Sequence, residues 1–274
     1  MSKARVVAFV NQKGGSAKTT TCAAFADELK RLGFRVLCVD MDPQDGNLSL
    51  VMGADRDGVA GSAELIHDAC EREVAGWRDY TQGLERACVM AGSSSLVAET
   101  LELSQSLGRE SKLRRGLEGS GARDEFDYVL IDTPGNLEIL TLNALVAADD
   151  VIVPTTPDLC SASGVDAVFK AIGGVREECN PAVRVSGVII CNYRSQTRLH
   201  RAFDDTLRTL CEAHGARLFK TRVRQSIKAS EGLSYGVALG GLNGESGIST
   251  GIVADYRDLV GEYLGKGDNM ERVA

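Results

Sequence analysis

The chain has 274 residues, of which 43 % are apolar and 25 % charged, close to globular averages that exclude wholesale disorder. Lysine and arginine number 31 against 38 acidic residues, and the net charge of −7 argues against a protein that coats nucleic acid with its whole surface. A local basic patch is not excluded by that total. The length fits one α/β domain, so we predict a single domain over residues 1–274 with a flexible tail at 265–274.

Short apolar runs alternate with amphipathic stretches along the chain. The runs predict strands at 5–10, 35–39, 86–90, 128–131, 151–153 and 185–191. Helical patterns predict helices at 20–32, 110–118, 137–148, 199–213 and 252–264, with a glycine-rich loop at 236–251. Continuous apolar runs of this length are typical of parallel strands buried on both faces. The alternation therefore predicts the α/β class, with a doubly wound, mostly parallel sheet flanked by helices.

The cysteines and the apolar segments indicate the cellular compartment of the protein. No two of the eight cysteines have the Cys-x-x-Cys spacing of zinc or thioredoxin-like sites, and several lie inside apolar runs. We interpret them as reduced core residues of a cytosolic protein. The first residues lack a signal-peptide pattern, and no run approaches the ~18 apolar residues of a membrane span. We predict a cytoplasmic protein without membrane association.

A glycine- and lysine-rich loop follows the first predicted strand and opens the first helix. Its sequence is NQKGGSAKTT, residues 11–20. Backbone amides and a helix N-terminus in this position bind phosphate, and a lysine adds charge. The common pattern G-x-x-x-x-G-K-[ST] fails because Gln12 and Ala17 replace its glycines, whereas K-G-G-x-x-K-[ST] fits every position and adds Lys13. The alternative is a glycine-rich turn between strand and helix whose lysines have no binding role.

Carboxylates follow two other predicted strands. Asp40 and Asp42 end the second strand, and Asp132 ends the strand FDYVLI. Ligands of open α/β sheets bind at the carboxyl ends of the strands, and an aspartate there can hold Mg²⁺ directly or through water. For Asp40 and Asp42 the alternative is a polar turn that closes a strand. Together the three strand ends predict a phosphate site with metal and water-orienting carboxylates.

These segments resemble the deviant Walker A ATPases, and within them the ParA/Soj DNA-partitioning proteins. The matching segments are NQKGGSAKTTTCAAFADELKRLGFRVLCVDMDPQDGNLS, FDYVLIDTPGNLEILTLNALVAADDVIVPTTPD, GVIICNYRSQTRL and, more weakly, RVRQSIKASEGLSYG. Residues 4–50, 126–200 and 219–236 match closely, and residues 53–110 loosely. The resemblance implies a Mg²⁺-dependent, slow ATPase that forms an ATP-sandwich homodimer and binds nonspecific DNA. It also implies a ParB-like stimulating partner and a nucleoid-associated location.

The resemblance assigns roles to individual positions. It implies that Lys18 contacts the β- and γ-phosphates and that Lys13 reaches the phosphates of the partner subunit. It implies that Asp42 orients the attacking water near the metal. The predicted metal site consists of Thr19, Asp42 and Asp132. The predicted cofactor-binding residues are Lys13, Gly14, Gly15, Ser16, Ala17, Lys18, Thr19, Thr20, Asn192 and Arg224.

Two of these residues are assigned to the adenine base of the nucleotide, and two other positions depart from the family pattern. Asn192 follows a strand where related ATPases place a base-reading amide; its alternative is a strand-end cap. Arg224 lies in the segment that replaces the family's I-P-R-N stretch near the adenine. Ala17 stands where the family usually has glycine, and because alanine tolerates most helix-entry dihedrals we expect binding to survive. Gly135 replaces the second proline of D-x-P-P, which we expect to loosen that loop.

The segment 194–228 is basic within an acidic protein. It holds nine basic and three acidic residues, a net charge of +6. Such segregated charge can bind phosphate backbones without reading sequence. By the resemblance, the predicted DNA-binding residues are Arg194, Arg198, Arg222, Arg224 and Lys228. The alternative is a solvated helix face followed by a basic loop.

The resemblance leaves several functions open. The leading prediction is an ATPase that segregates plasmid or chromosomal DNA, and the runner-up is a relative that positions a protein cargo on the nucleoid. A MinD-like regulator would need an amphipathic basic C-terminal helix, but the tail GKGDNMERVA is polar. A nitrogenase-type iron protein would need paired cluster-ligating cysteines. A synthetase such as dethiobiotin synthetase normally lacks the lysine found at position 13.

Overall fold

The computed structural model describes residues 3–44, 48–55, 58–85, 87–158, 161–194, 198–226 and 250–265. Its centre is an eight-stranded sheet of order β3-β4-β2-β5-β1-β6-β7-β8. Neighbouring strands run parallel except β3, which is antiparallel to β4. The strands are β1 Arg5–Phe9, β2 Val36–Asp40, β3 Gln82–Gly83, β4 Cys88–Met90, β5 Tyr128–Asp132, β6 Asp150–Thr155, β7 Arg184–Tyr193 and β8 Leu218–Arg224.

Helices cover both faces of the sheet. They are α1 Lys18–Arg31, α2 Leu48–Met52, α3 Ser62–Glu71, α4 Ser95–Gln105, α5 Lys112–Gly119, α6 Ala122–Glu125, α7 Ile139–Ala147, α8 Ser161–Glu178, α9 Arg198–Ala213 and α10 Thr250–Tyr263. Alternate β1 side chains point to opposite faces: Val6 and Ala8 pack into the core under α3–α9, while Val7 and Phe9 pack into the core under α1, α2 and α10. Burial on both faces explains why the strands read as continuous apolar runs.

The strand order brings the predicted site residues together. β5 lies between β2 and β1, and Asp132 is in register with Asp40 on one side and with Phe9 on the other. The phosphate loop follows Phe9, so all three strand ends meet at one edge of the sheet. The predicted doubly wound, mostly parallel sheet is confirmed.

Individual elements differ from the sequence prediction in informative ways. All six predicted strands exist, but strands β3 and β8 and helices α2, α3, α4, α6 and α8 were not predicted. β8 (LFKTRVR) carries polar residues because it forms the edge of the sheet, where one side has no neighbouring strand. The seven described cysteines are all free thiols. Of the loop predicted at 236–251, residues 236–249 lie outside the described residues, and the last two belong to α10. Of the tail predicted at 265–274, residues 266–274 lie outside the described residues.

Gly187 in β7 provides a stability test of the packing. A Cβ atom at this position would lie 2.4 Å from Cε2 of Phe219, a fully buried side chain. We expect Gly187→Ala to lower the free energy of unfolding by about 1–3 kcal/mol, the usual cost of overpacking a core. Gly173→Ala is the control, because a Cβ there meets nothing within 4 Å and alanine favours the helix by roughly 0.5–1 kcal/mol. Urea unfolding measures both; equal stability of the two variants would contradict the packing.

Candidate functional site

The phosphate loop forms one wall of an open cavity. The cavity has a volume of about 450 Å³. It is lined by Gly14, Gly15, Ser16, Ala17, Lys18, Thr19, Thr20, Asp42, Gln44, Gly135 and Asn136. The first helix begins at Lys18, so the amino end of α1 faces the cavity. Backbone amides at such an end, together with the lysine, form an anion site. Of the eight loop residues predicted to bind the cofactor, all except Lys13 line this cavity.

Ala17 adopts a left-handed backbone conformation, which is unusual for alanine. Its φ of 69° and ψ of 27° lie in the left-handed region at the N-cap of α1. The sequence suggested that alanine would tolerate the helix-entry dihedral, but the dihedral found here is a left-handed one, which the family's glycine would adopt without a steric cost. For alanine the conformation costs roughly 1–2 kcal/mol. The surrounding loop holds it in place.

Two contacts of Asn11 help to hold the loop. Its side-chain amide donates to the carbonyl of Pro154 at 2.6 Å, and its Oδ1 accepts the backbone N–H of Lys13 at 3.1 Å. The side chain is buried between β1 and the end of β6. In the sequence, the only signal for this role of Asn11 is its position at the start of the loop.

The two lysines of the loop point to different places. Lys18 is buried, and its Nζ donates to the carbonyl of Lys13 at 3.3 Å, which closes the loop over the amino end of α1. Lys13 Nζ instead forms an ion pair at 2.6 Å with Asp158, after β6. The Lys13 side chain is 42 % exposed and is not part of the cavity wall. Its charge therefore faces the surface of the protein.

Asp132 lies at the floor of the site. It is fully buried, and the hydroxyl of Thr19 donates to its Oδ2 at 2.6 Å. Its other oxygen, Oδ1, is buried without a hydrogen-bond partner among the described residues. Burial, with the nearby Asp40 carboxylate, raises the pKa of Asp132 well above its usual range. A raised pKa means that the charged form of Asp132 is disfavoured, and a nearby cation would stabilise that form. Oδ1 is placed to coordinate such a cation directly or through a water molecule.

Asp40 is a structural anchor beside the cavity. Its Oδ1 accepts the backbone N–H of Asp42 at 3.1 Å, and its Oδ2 accepts that of Ser49 at 2.8 Å, while its carbonyl accepts the Ser62 hydroxyl at 2.6 Å. Burial raises the pKa of Asp40. These bonds fix the chain after β2, and Asp42 is thereby held in the cavity wall, half-buried. Neither serine was found from the sequence, because their contacts depend on the fold.

The loop after Asp132 touches the phosphate loop. The hydroxyl of Thr133 donates to the carbonyl of Phe9 at 2.7 Å, tying β5 to β1. At Gly135 a Cβ would lie 3.1 Å from the backbone N of Gly14. The glycine that departs from the family pattern thus permits close approach of the two loops. Because the two loops are this close, a displacement of the loop after Asp132 would also displace the phosphate loop, and the reverse holds as well.

The donor set fits a magnesium-bound polyphosphate. The Ser16 hydroxyl and Asp132 Oδ1 are buried polar atoms without hydrogen-bond partners in the described structure, and both flank the phosphate loop. Hard oxygen ligands such as the Thr19 hydroxyl and a carboxylate suit Mg²⁺, which retains waters and phosphate oxygens as its other ligands. Burial lowers the pKa of Lys18, while Asp132 and Asp42 partly offset that shift.

The predicted adenine contacts lie apart from this cavity. Asn192 is exposed at the end of β7 with a φ of 54°. Arg224 is bound to Asp255 of α10 through its backbone N–H at 3.0 Å and its guanidinium at 2.7 and 2.8 Å. Neither residue is part of the cavity wall described above. Arg224 thus fastens α10 to β8, and the assignments of both residues to adenine remain predictions.

Folding neutralises part of the predicted basic patch. Arg222 is only 17 % exposed and pairs with Asp204 at 2.5 Å, while Arg217 and Arg224 pair with Glu262 and Asp255 of α10. Two of these partners come from outside residues 194–228, so the folded surface is less basic than the segment alone. Arg194 and Arg201 are exposed. Lys228 and the side chain of Arg198 lie outside the described residues.

Comparisons with known proteins place the chain among P-loop ATPases. Residues 4–185 match the AAA domain family. The chromosome partitioning protein ParA of Caulobacter vibrioides is 33 % identical over 85 % of both chains. The chromosome-partitioning ATPase Soj of Thermus thermophilus is 34 % identical over 86 % of this chain and 87 % of its own.

A solved structure is similar over nearly the whole chain. Cobyrinic acid a,c-diamide synthase from Mycobacterium smegmatis, with bound ADP and magnesium, superposes with a TM-score of 0.77 at 28 % identity, covering 97 % of this chain and 96 % of that one. The cavity at the strand ends is therefore part of an architecture that binds nucleotide in that neighbour.

Within the described ranges, none of the helices combines the length and apolar character required to cross a bilayer.

Proposed function

The chain belongs to the ParA/Soj family of P-loop ATPases, and from that membership we propose that it is an ATP-driven switch for DNA segregation. In this proposal two copies pair around two ATP molecules, and the dimer binds nonspecific DNA on the nucleoid in the cytoplasm. A ParB-like partner stimulates slow hydrolysis, which returns the protein to monomers. The observation that carries the proposal is the position of Lys13 outside its own cavity.

The cavity residues would have separate roles in the binding and hydrolysis of Mg-ATP. The amino end of α1, the loop amides and Lys18 would hold the phosphates, while Thr19 and Asp132 would hold the metal and its waters. Mg²⁺ would neutralise negative charge on the phosphates. Asp42, held by Asp40, would orient the attacking water. This division is supported by the geometry of the residues and by the ADP and magnesium in the similar solved structure.

Lys13 supports the dimer part of the proposal. Lys13 is half-exposed and lies outside the wall of its own cavity, so we infer that it serves the site of a facing copy. Such a cation supplied across an interface stabilises the charge of phosphoryl transfer in the manner of an arginine finger. Hydrolysis would then require two copies, and an isolated monomer would be slow. The ion pair with Asp158 must break before Lys13 can cross.

The DNA part of the proposal gives a salt-dependence prediction. We expect a labelled nonspecific duplex to bind with ATP but not with ADP or without nucleotide, since the dimer joins two patches that each hold Arg194 and Arg201. Between about 50 and about 200 mM salt the affinity should fall steeply, by roughly 10³-fold for six or more phosphate contacts. Fluorescence anisotropy measures this. Equal binding in all three nucleotide states would contradict nucleotide gating.

The matching variants locate the DNA surface. Arg194→Ala with Arg201→Ala should weaken binding and reduce the slope of log affinity against log salt by roughly 0.9 for each lost phosphate contact. Arg31→Ala is the control, because this exposed arginine lies on α1 and pairs with Glu28 at 2.5 Å. An identical slope in the double variant and the parent would place DNA elsewhere.

The name of the Mycobacterium smegmatis protein denotes another chemistry. For a synthase that makes a diamide from an acid, we expect ATP turnover to depend on the acid and on a nitrogen donor. Steady phosphate release by this chain without any acid or nitrogen donor would support the switch, and turnover that needs both would support a synthase. We favour the switch because the relatives at 33 % and 34 % identity are partitioning proteins.

A further inference from the structure

Three metal-ligating side chains meet between α3 and α4, away from the nucleotide cavity. His67 of α3 faces Glu99 and Glu102, which are one turn apart on α4. Its Nδ1 lies 2.9 Å from Oε2 of Glu102 and 3.6 Å from Oε2 of Glu99. One ligand atom from each residue lies within 4.8 Å of the others. A single ion could contact all three after small side-chain movements.

One carboxylate oxygen of the cluster is buried without a hydrogen-bond partner among the described residues. Glu99 Oε2 is buried and accepts no hydrogen bond from the described residues, although it points toward His67 and Glu102. The Glu99 side chain is only 14 % exposed, so water does not readily compensate its charge. Burial and the adjacent carboxylate of Glu102 raise the pKa of Glu99. Two carboxylates held together with one imidazole are stabilised by a cation between them.

We propose that His67, Glu99 and Glu102 form a binding site for a divalent transition-metal ion of the Zn²⁺ class. An imidazole nitrogen with two carboxylate oxygens suits Zn²⁺, whereas Mg²⁺ and Ca²⁺ prefer all-oxygen ligand sets. Three protein ligands leave a fourth position for water, and the exposure of His67 (48 %) opens that position to solvent. This site is separate from the magnesium position proposed beside Thr19 and Asp132.

A metal at this position would clamp two helices that begin beside the nucleotide cavity. Ser62, the first residue of α3, donates to the carbonyls of Asp40 and Ala91. The segment leading to α4 is bound at Gly92, whose N–H donates to Ser49 Oγ at 2.9 Å. The metal would join α3 and α4 through side chains one to two turns further along. Because none of its three ligands lines the nucleotide cavity, such an ion would have a structural role.

The test is a zinc titration of the full chain without nucleotide. After EDTA treatment and dialysis, isothermal titration calorimetry should detect one Zn²⁺ per chain. His67→Ala, Glu99→Gln and Glu102→Gln should each weaken binding by at least about 10- to 100-fold, since loss of even an outer-shell partner costs that much. Circular dichroism of each variant checks that it is folded. Glu99→Gln keeps the side-chain volume and so guards against loss of the fold.

A matched control and a spectrum separate this site from other zinc ligands. His214→Ala removes an exposed histidine that contacts one carboxylate, Asp166, at 3.2 Å, and should leave the affinity unchanged. Co²⁺ bound at the proposed site should give d–d absorption without a thiolate charge-transfer band, and His67→Ala should abolish it. Absence of zinc binding, unchanged binding in His67→Ala, or a thiolate band that persists in that variant would overturn the proposal.

Discussion

Asp42→Ala should reduce ATP turnover by roughly 10²- to 10⁴-fold, the range by which a positioned acid–base group contributes to catalysis. Nucleotide binding should stay close to that of the parent, because the phosphate loop and Lys18 remain. The expected loss of turnover follows from the position of the Asp42 carboxylate in the cavity wall. Asp40 accepts the backbone N–H of Asp42 at 3.1 Å, and the Asp42 carboxylate accepts the backbone N–H of Gln44 at 3.0 Å. These two hydrogen bonds hold the carboxylate in place. Single-turnover hydrolysis and equilibrium binding of a fluorescent ATP analogue measure the two effects.

Gln44→Ala is the control for this variant. Gln44 lines the same cavity, but its contact to Asp42 comes from its backbone amide, which the substitution keeps. We expect its turnover to stay within a few-fold of the parent. The Asp42→Ala protein should accumulate in the ATP-bound, DNA-binding form because hydrolysis no longer releases it. Turnover of Asp42→Ala at the parent rate would remove Asp42 from the mechanism.

Lys13→Ala should bind ATP normally and lose most of its hydrolysis. The expected loss is roughly 10³-fold or more, by analogy with a cation supplied across an interface in phosphoryl transfer. Binding should survive because Lys13 lies outside the cavity wall, with Nζ 2.6 Å from Asp158. Lys170→Ala is the control, since Lys170 is an exposed lysine paired with Asp166 at 2.7 Å. Turnover and ATP affinity are measured for both variants.

Mixing the two inactive variants tests whether Lys13 acts in the partner subunit. In a mixed dimer the Lys13→Ala subunit keeps its own Asp42 and receives Lys13 from the Asp42→Ala subunit. One complete site therefore forms, and random pairing restores about a quarter of the parent activity. No recovery in the mixture, when both variants dimerise with ATP, would contradict the action of Lys13 in trans. Unchanged turnover in Lys13→Ala alone would exclude any catalytic role.

The centre of the fold and the phosphate end of the site could be predicted because their signals are local. β1, β2 and β5 are apolar runs that end at Phe9, Asp40 and Asp132. Parallel strands must place their carboxyl ends at one edge, so the polar residues that follow them meet there. The loop spacing K-G-G-x-x-K-[ST] indicated the phosphate site. The structure then placed seven of the eight predicted loop residues in one cavity wall.

The remaining features depend on contacts between distant segments. The ion pair of Arg224 with Asp255 joins residues 31 positions apart, so the sequence segment 194–228 looked more basic than the folded surface is. β8 was missed because an edge strand has fewer apolar positions. The conformation of Ala17 was missed because the required dihedral comes from the turn between β1 and α1, whereas alanine itself favours the helical region.

Ala17 has a consequence for the thermodynamics of nucleotide binding. An unfolded chain seldom places alanine in the left-handed region, so much of the entropy lost in shaping this turn is lost when the protein folds. The loop is then preorganised before phosphate arrives, and ligand binding has less disorder to remove. The steric penalty at Ala17 thus lowers the stability of the folded chain, and it is incurred on folding rather than on phosphate binding.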